Sequence, residues 1–252
     1  MTVIEVCIDS LKSAYNAING GADELELCSS LVEGGLTPSP GLVVEVVKLV
    51  NSKFYADNSK KPKVNIMIRC RGGSDFCYSE DEMKTMLSDI EVYKSFQVDR
   101  FVFGALTDKQ EIDRTNCSRI IEKASPLPVT FHRAFDLTID PKKAIEDIIN
   151  LGFNRLLTSG KQSSADNNTA IELLTFLLEN FGKNIEIMPG AGVNCDNVHI
   201  FGKIGFKIIH SSCKKTKHLP EIGNLCMGSN ILYVTDEDLV RKMKKIEPCS
   251  RN

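Results

Sequence analysis

Tryptophan is absent from the 252 residues, histidine occurs only four times, and neither sign of charge prevails. The 31 Lys and Arg against 33 Asp and Glu leave a formal net charge of −2. That balance excludes a strongly basic nucleic-acid binder and an acidic disordered tail. No apolar run approaches the roughly 18 residues that span a bilayer, so no membrane partner is expected. The opening Met1-Thr2-Val3-Ile4-Glu5 meets an acid before any signal-peptide core could form. The nine cysteines contain no C-x-x-C pair, which excludes a zinc knuckle or a thioredoxin-type redox pair. An odd, scattered set in a chain of this length reads as reduced thiols, and a cytoplasmic location is expected.

With 42% hydrophobic and 25% charged residues the composition is that of a globular protein. Short β-branched runs alternate with helical patterns throughout. Strands are expected at Val3–Ile8, Glu24–Cys28, Val64–Arg69, Arg100–Phe103, Val129–His132, Arg155–Thr158, Ile185–Met188 and Phe206–His210. Helices are expected at Leu11–Ile18, Leu42–Val50 and Asp81–Phe96, and near 111–124, 141–151, 167–181, 194–203 and 236–247. The polar stretch 51–63 reads as an exposed insertion. Eight strand–helix units without a linker favour a parallel sheet. A doubly wound open sheet would carry a Gly-rich phosphate turn after its first strand, and Cys7-Ile8-Asp9-Ser10 is not one. The expected fold is a single-domain TIM (β/α)8 barrel, which takes roughly 250 residues.

In such a barrel alternate strand residues face the helices and are apolar, while the others face the axis. Ile4, Val6, Ile8, Leu25, Leu27, Val64, Ile66, Ile68, Val129, Phe131, Ile185 and Ile187 form the outward set. The inward set is polar: Glu5, Cys7, Glu26, Cys28, Asn65, Arg69, Thr130, His132 and Glu186, with Met188. Strand eight is ambiguous, since Lys207 and His210 have opposite parities. Buried polar groups of this kind must compensate one another. Glu186 and Lys207 are expected to pair at the bottom face, which serves stability. Glu26, Arg69 and His132 lie at carboxyl ends, where barrel enzymes carry their chemistry.

The loops at that end add Arg71 after strand three, Arg133 after strand five, Ser159 after strand six, and Gly190 and Gly192 after strand seven. Arginines in a flexible loop and glycine N–H groups near a helix terminus are a means of holding a carboxylate or phosphate. His132 is expected to move protons near neutral pH, where imidazole titrates. Glu26 is expected to orient a substrate hydroxyl or hold a divalent ion. No lysine ends strand six, which argues against a Schiff-base aldolase. No H-x-H or H-x-x-x-H pair argues for a zinc hydrolase. No organic cofactor is evident.

The segments Glu5-Val6-Cys7-Ile8-Asp9-Ser10, Gly21-Ala22-Asp23-Glu24-Leu25-Glu26-Leu27-Cys28 and Glu33-Gly34-Gly35-Leu36-Thr37-Pro38-Ser39 resemble those of the CutC proteins. So do Met67-Ile68-Arg69-Cys70-Arg71-Gly72-Gly73, Val102-Phe103-Gly104-Ala105-Leu106-Thr107 and Pro128-Val129-Thr130-Phe131-His132-Arg133-Ala134-Phe135-Asp136. Leu157-Thr158-Ser159-Gly160 and Met188-Pro189-Gly190-Ala191-Gly192 complete the resemblance. It implies a TIM barrel, a cytoplasmic homo-oligomer, and a role in copper homeostasis through Cu(I) binding or trafficking. Cys70 departs from the family pattern, which usually has proline there.

Cu(I) prefers thiolate and thioether ligands, and Cys7 and Cys28 end adjacent strands, with Met67 or His210 as possible helpers. A competing reading is an enzyme acting on a small phosphorylated or carboxylated metabolite. In it His132 or Glu26 does the acid–base work, and Arg69, Arg71, Arg133, Ser159, Gly190 and Gly192 bind the anion.

Overall fold

A computed structural model describes residues 2–52, 61–220 and 230–246. Eight strands alternate with helices in the order that the apolar periodicity gives. The strands are β1 (Val3–Ile8), β2 (Glu24–Leu27), β3 (Lys63–Met67), β4 (Arg100–Phe103), β5 (Val129–Phe131), β6 (Arg155–Thr158), β7 (Glu186–Pro189) and β8 (Ile208–Ser211). All pair in parallel in the order β7-β6-β5-β4-β3-β2-β1-β8. The curved sheet brings β7 and β8 together, where Ser211 Oγ donates to the Val193 carbonyl oxygen just beyond β7 at 2.7 Å. The result is a nearly closed TIM barrel.

Helices α1 (Leu11–Gly20), α2 (Pro40–Asn51), α3 (Glu80–Lys94), α4 (Arg114–Ala124), α5 (Pro141–Leu151), α6 (Asn168–Phe181) and α7 (Val198–Ile204) follow successive strands. Their starts are locally encoded. Ser10 accepts the Ser13 N–H, Ser39 precedes Pro40 at the first turn, and Ser79 with Glu82 forms a reciprocal capping box. Gly21, at φ 90°, closes α1 in the left-handed conformation, which costs glycine little. The expected outward set packs beneath these helices: Ile4, Val6, Ile8, Leu25, Leu27, Val64, Ile66 and Ile68 are all at most 2% exposed. At about 1.5–3 kcal/mol per large apolar side chain, this shell is the main stabilising layer.

Several expectations need correction. Most of the proposed insertion, 53–60, lies outside the described residues; Asn51 ends α2 and Lys63 begins β3. Strand eight carries no ambiguity: Ile208 and His210 point inward while Lys207 is exposed. The expected Glu186–Lys207 pair is therefore not made. Glu186 instead accepts from Arg155 Nε at 2.6 Å. After β8 the chain adds an antiparallel ribbon of β9 (Lys214–His218) and β10 (Ile231–Thr235), then α8 (Glu237–Lys245). α8 packs over α1, with Val240 against Gly20. None of the helices among the described residues is long and apolar enough to cross a membrane.

Candidate functional site at the barrel mouth

The inward parity builds two charged layers along the axis. The lower one centres on Arg155. Its guanidinium donates to Glu24 Oε2 at 2.8 Å, Glu24 Oε1 at 3.1 Å, Glu186 Oε2 at 2.6 Å and Glu5 Oε2 at 3.4 Å. Asn65 Nδ2 donates to Glu5 at 2.5 Å and Glu24 at 2.8 Å. Sequence reasoning passed over Glu24 and Arg155. Both share the parity of Glu26 and Leu157 two residues on, so the alternation that found the other inward groups also finds these.

Above this layer a cavity of about 830 Å³ opens at the carboxyl ends of the strands. Cys7, Glu26 and His210 meet in its wall, each offering a ligand atom within 4.8 Å of the other two. Register explains the meeting. Glu5 stands opposite His210 across β1 and β8, and Cys7 stands opposite Glu26 across β1 and β2. His210 Nδ1 lies 2.8 Å from Glu5 Oε1, which leaves Nε2 turned toward Glu26 Oε2 at 3.8 Å. A carboxylate behind one imidazole nitrogen fixes the ring and raises the basicity of the other, the arrangement common behind metal-bound histidines.

The electrostatics of Glu5, Glu26 and His210 differ. Burial opposes the charge on Glu5, but the His210 hydrogen bond and charge, with Arg155 and Asn65, outweigh it and hold the carboxyl at about 2. Burial pushes Glu26 up to about 7. For His210 burial works against protonation, yet electrostatic interactions with Cys7 and Glu26 and hydrogen bonds to Cys7 and Glu5 hold it well above its ordinary value. Glu26 Oε1 has no hydrogen-bond partner among the described residues.

Cys28, the second expected copper ligand, does not join this triad. It is fully buried behind Glu26, donating its S–H to Oε2 at 3.5 Å and packing with Met67 and Val102. Burial and the neighbouring Glu26 carboxylate push its thiol well up. Another sulfur pair shares the cavity wall: Cys213 Sγ and Met243 Sδ stand 3.3 Å apart. Sequence reasoning did not single these out, since α8 lies far away along the chain.

The expected anion ligands divide. Arg69 and Arg133 line the cavity. Arg71 does not: it pairs with Glu82, the capping residue of α3, and with Asp75 at 2.8 Å, and donates to the Cys77 carbonyl oxygen. Ser159 Oγ is held by Asp136 at 2.8 Å and Arg133 at 3.0 Å. Gly190 N–H is engaged by the Thr158 carbonyl oxygen at 3.0 Å, so it cannot serve an anion. Gly192 does reach the wall; at φ 72° it passes so close to Ser164 that a Cβ would stand 2.1 Å from its Oγ. The phosphate cradle expected of these loops is not assembled.

His132 also lines the cavity, but its expected titration near neutrality does not hold. Burial first, then the charges of Arg69 and Arg133, push it down to about 3. Phe76, Phe103 and Phe131 surround the ring. Titration near neutral pH belongs instead to Glu26.

The CutC family model matches residues 2–215. The human copper homeostasis protein cutC homolog is 41% identical, over 97% of this chain and 88% of that one. The Caenorhabditis elegans homolog of the same name is 45% identical, over 77% and 73% respectively. A CutC crystal structure from Streptococcus agalactiae superposes with a TM-score of 0.75 at 32% identity, covering 84% of this chain and 99% of that one.

Proposed function

The chain belongs to the CutC family, and from that premise we propose that it handles copper as cargo, taking one Cu(I) ion at the barrel mouth. The observation that carries this reading is the Cys7–Glu26–His210 cluster backed by Glu5. Cys7 supplies the soft thiolate that Cu(I) favours, and His210 Nε2 supplies the imidazole. Glu26 balances the charge, and its unpartnered oxygen gains a neighbour when the ion enters. Met67 and the Cys213–Met243 pair line the same cavity and offer further soft donors along the way in or out. The seven described cysteines are all free, in keeping with a reducing, cytoplasmic setting.

Anaerobic competition between the metal-free protein and a Cu(I) chelator tests the reading. One ion per chain is expected, with the affinity weakened roughly a hundredfold in Cys7→Ser and in His210→Ala, about 2.7 kcal/mol. Cys28→Ser is expected to change it far less. Unchanged affinity in both Cys7→Ser and His210→Ala would remove the cluster from copper handling. Stoichiometry well above one, insensitive to these changes, would assign the metal to surface thiols.

A further inference from the structure

The cavity is far larger than an ion needs: at about 830 Å³ it has the size of a site for a small organic molecule. One part of its wall, away from Cys7 and His210 in the chain, is left chemically incomplete. Arg69 is 5% exposed, yet no carboxylate of the described residues lies within ion-pair distance of it. Its guanidinium donates only to backbone oxygens, Glu33 at 2.7 Å, Gly35 at 3.1 Å and Gly73 at 2.5 Å, and its Nε has no partner among the described residues. A buried cation without a counter-charge is costly, and proteins seldom keep one idle.

His132 is incomplete in the same sense. Its Nδ1 accepts the Ala134 N–H at 3.2 Å, so the proton of the neutral ring sits on Nε2. That Nε2–H is a buried donor with no acceptor among the described residues. Phe76 stands between the two groups, 5.0 Å from the Arg69 guanidinium carbon and 4.9 Å from the His132 ring centre. It does so at φ 52°, a left-handed conformation that costs a bulky residue about 1–3 kcal/mol. Ala191 at φ 75° and Cys213 at φ 43° line the same cavity. Among the described residues seven non-glycine positions have positive φ, and these three of them line the cavity; such strain clusters at ligand sites.

A cation, a neutral N–H donor and an aromatic face call for an acceptor-rich anion with an apolar body. Inorganic phosphate fits poorly, because Gly190 and Arg71 have no donors to spare. We propose that the Arg69–Phe76–His132 wall is a binding site for a small organic carboxylate, its carboxyl group on Arg69 and His132 and its aliphatic part against Phe76 and against Leu31 and Met67, which line the same cavity. This site shares the cavity and Met67 with the copper reading but none of the Cys7, Glu26 and His210 ligands, so each reading is tested separately.

Isothermal titration of metal-free protein, held with a chelator, tests it with sodium isocaproate, the neutral isocaproamide and inorganic phosphate. Isocaproate is expected to bind saturably at one site, roughly tenfold or more tighter than the amide, since a charge-assisted pair is at stake. Arg69→Gln is expected to weaken it about tenfold. Because Arg69 also ties two loops together, His132→Phe provides a second test: it keeps an aromatic ring and removes the Nε2 donor together with the Nδ1 acceptor of the Ala134 N–H, and about fivefold weakening is expected. Lys245→Ala, an exposed position outside the cavity wall, is expected to leave carboxylate binding unchanged. The proposal is overturned if isocaproate gives no saturable binding, if acid and amide bind alike, if phosphate binds more tightly, or if folded His132→Phe binds as the wild type does.

Discussion

Two charged layers lie on one barrel axis, within a few strand residues of each other, and they differ in how completely they satisfy themselves. In the lower layer Arg155 meets Glu24 and Glu186 at hydrogen-bond distance and Glu5 at 3.4 Å, and Asn65 Nδ2 ties the first of these to the last, leaving the Asn65 Oδ1 as the one buried side-chain atom of this layer without a partner among the described residues. In the upper layer Glu26 Oε1, Arg69 Nε and His132 Nε2 have no partner among the described residues. The unpartnered atoms of the upper layer are themselves buried, so solvent does not account for them. A network in which every charged group has its hydrogen bonds serves the fold. An open one at the strands' carboxyl ends is where a ligand completes the set. Glu5 belongs to both, accepting from Asn65 and Arg155 below and from His210 above.

The largest effect is expected from breaking the closed layer. Arg155→Met leaves Glu5, Glu24 and Glu186 without their common counter-charge, and denaturant unfolding should show a loss of about 3–5 kcal/mol. Adding Glu24→Gln should restore part of it, because the two sites share one network. A loss under about 1 kcal/mol would mean the layer is not what holds the lower barrel.

Strict alternation made much of this legible. It assigns the outward apolar shell and most inward polar groups, because the side-chain period of a strand is two whatever the barrel's shear. Which inward groups touch is a different question. The meeting of Cys7, Glu26 and His210 depends on the register of β1 against β2 and β8, which no single strand encodes. Pairing Cys7 with Cys28 from adjacent strand ends ignored that Cys28 stands one step beyond Glu26, behind it. Parity also stops where the strand stops. His132 and Arg71 lie past the last ladder residues of β5 and β3, and their surroundings come from loops folding back, Phe76 over one and Glu82 beside the other.

Glu5→Gln probes the residue the layers share. Losing the carboxylate behind His210 should weaken Cu(I) binding about 10–100-fold, as removal of such outer partners commonly does. It should also lower acid sensitivity. The folded Glu5 titrates at about 2, below its ordinary 4.5, so its contribution is present above pH 4.5 and is lost as pH falls toward 2. The variant should lack that limb of the stability profile, read by thermal unfolding across pH.

Glu26 should give the opposite slope. Its folded value of about 7 exceeds the ordinary 4.5, so ionisation opposes folding. Stability from this group is full below pH 4.5 and falls as pH rises through 7. Glu26→Gln should therefore be more stable than the wild type at pH 8, by about 1–3 kcal/mol. The advantage should vanish near pH 4.5. A difference that does not vary with pH would show that Glu26 is compensated in the metal-free protein, and the upper layer would then resemble the lower.

The smallest effect is expected outside both layers, at Arg71. Its side chain is 36% exposed and pairs with Asp75 and Glu82 at the start of α3. Solvent weakens such pairs, and the loss in Arg71→Ala should stay near or below about 1 kcal/mol. Part of that loss belongs to packing, since the guanidinium carbon lies 5.5 Å from the Tyr78 ring centre. Glu82 keeps its capping bond to the Ser79 N–H at 2.7 Å, so α3 should begin where it does now. Neither Cu(I) nor isocaproate affinity should move, because Arg71 is not part of the cavity wall. A fall in isocaproate affinity matching that of Arg69→Gln would return Arg71 to the mouth, and the boundary of the open layer would have to be redrawn through the loop after β3.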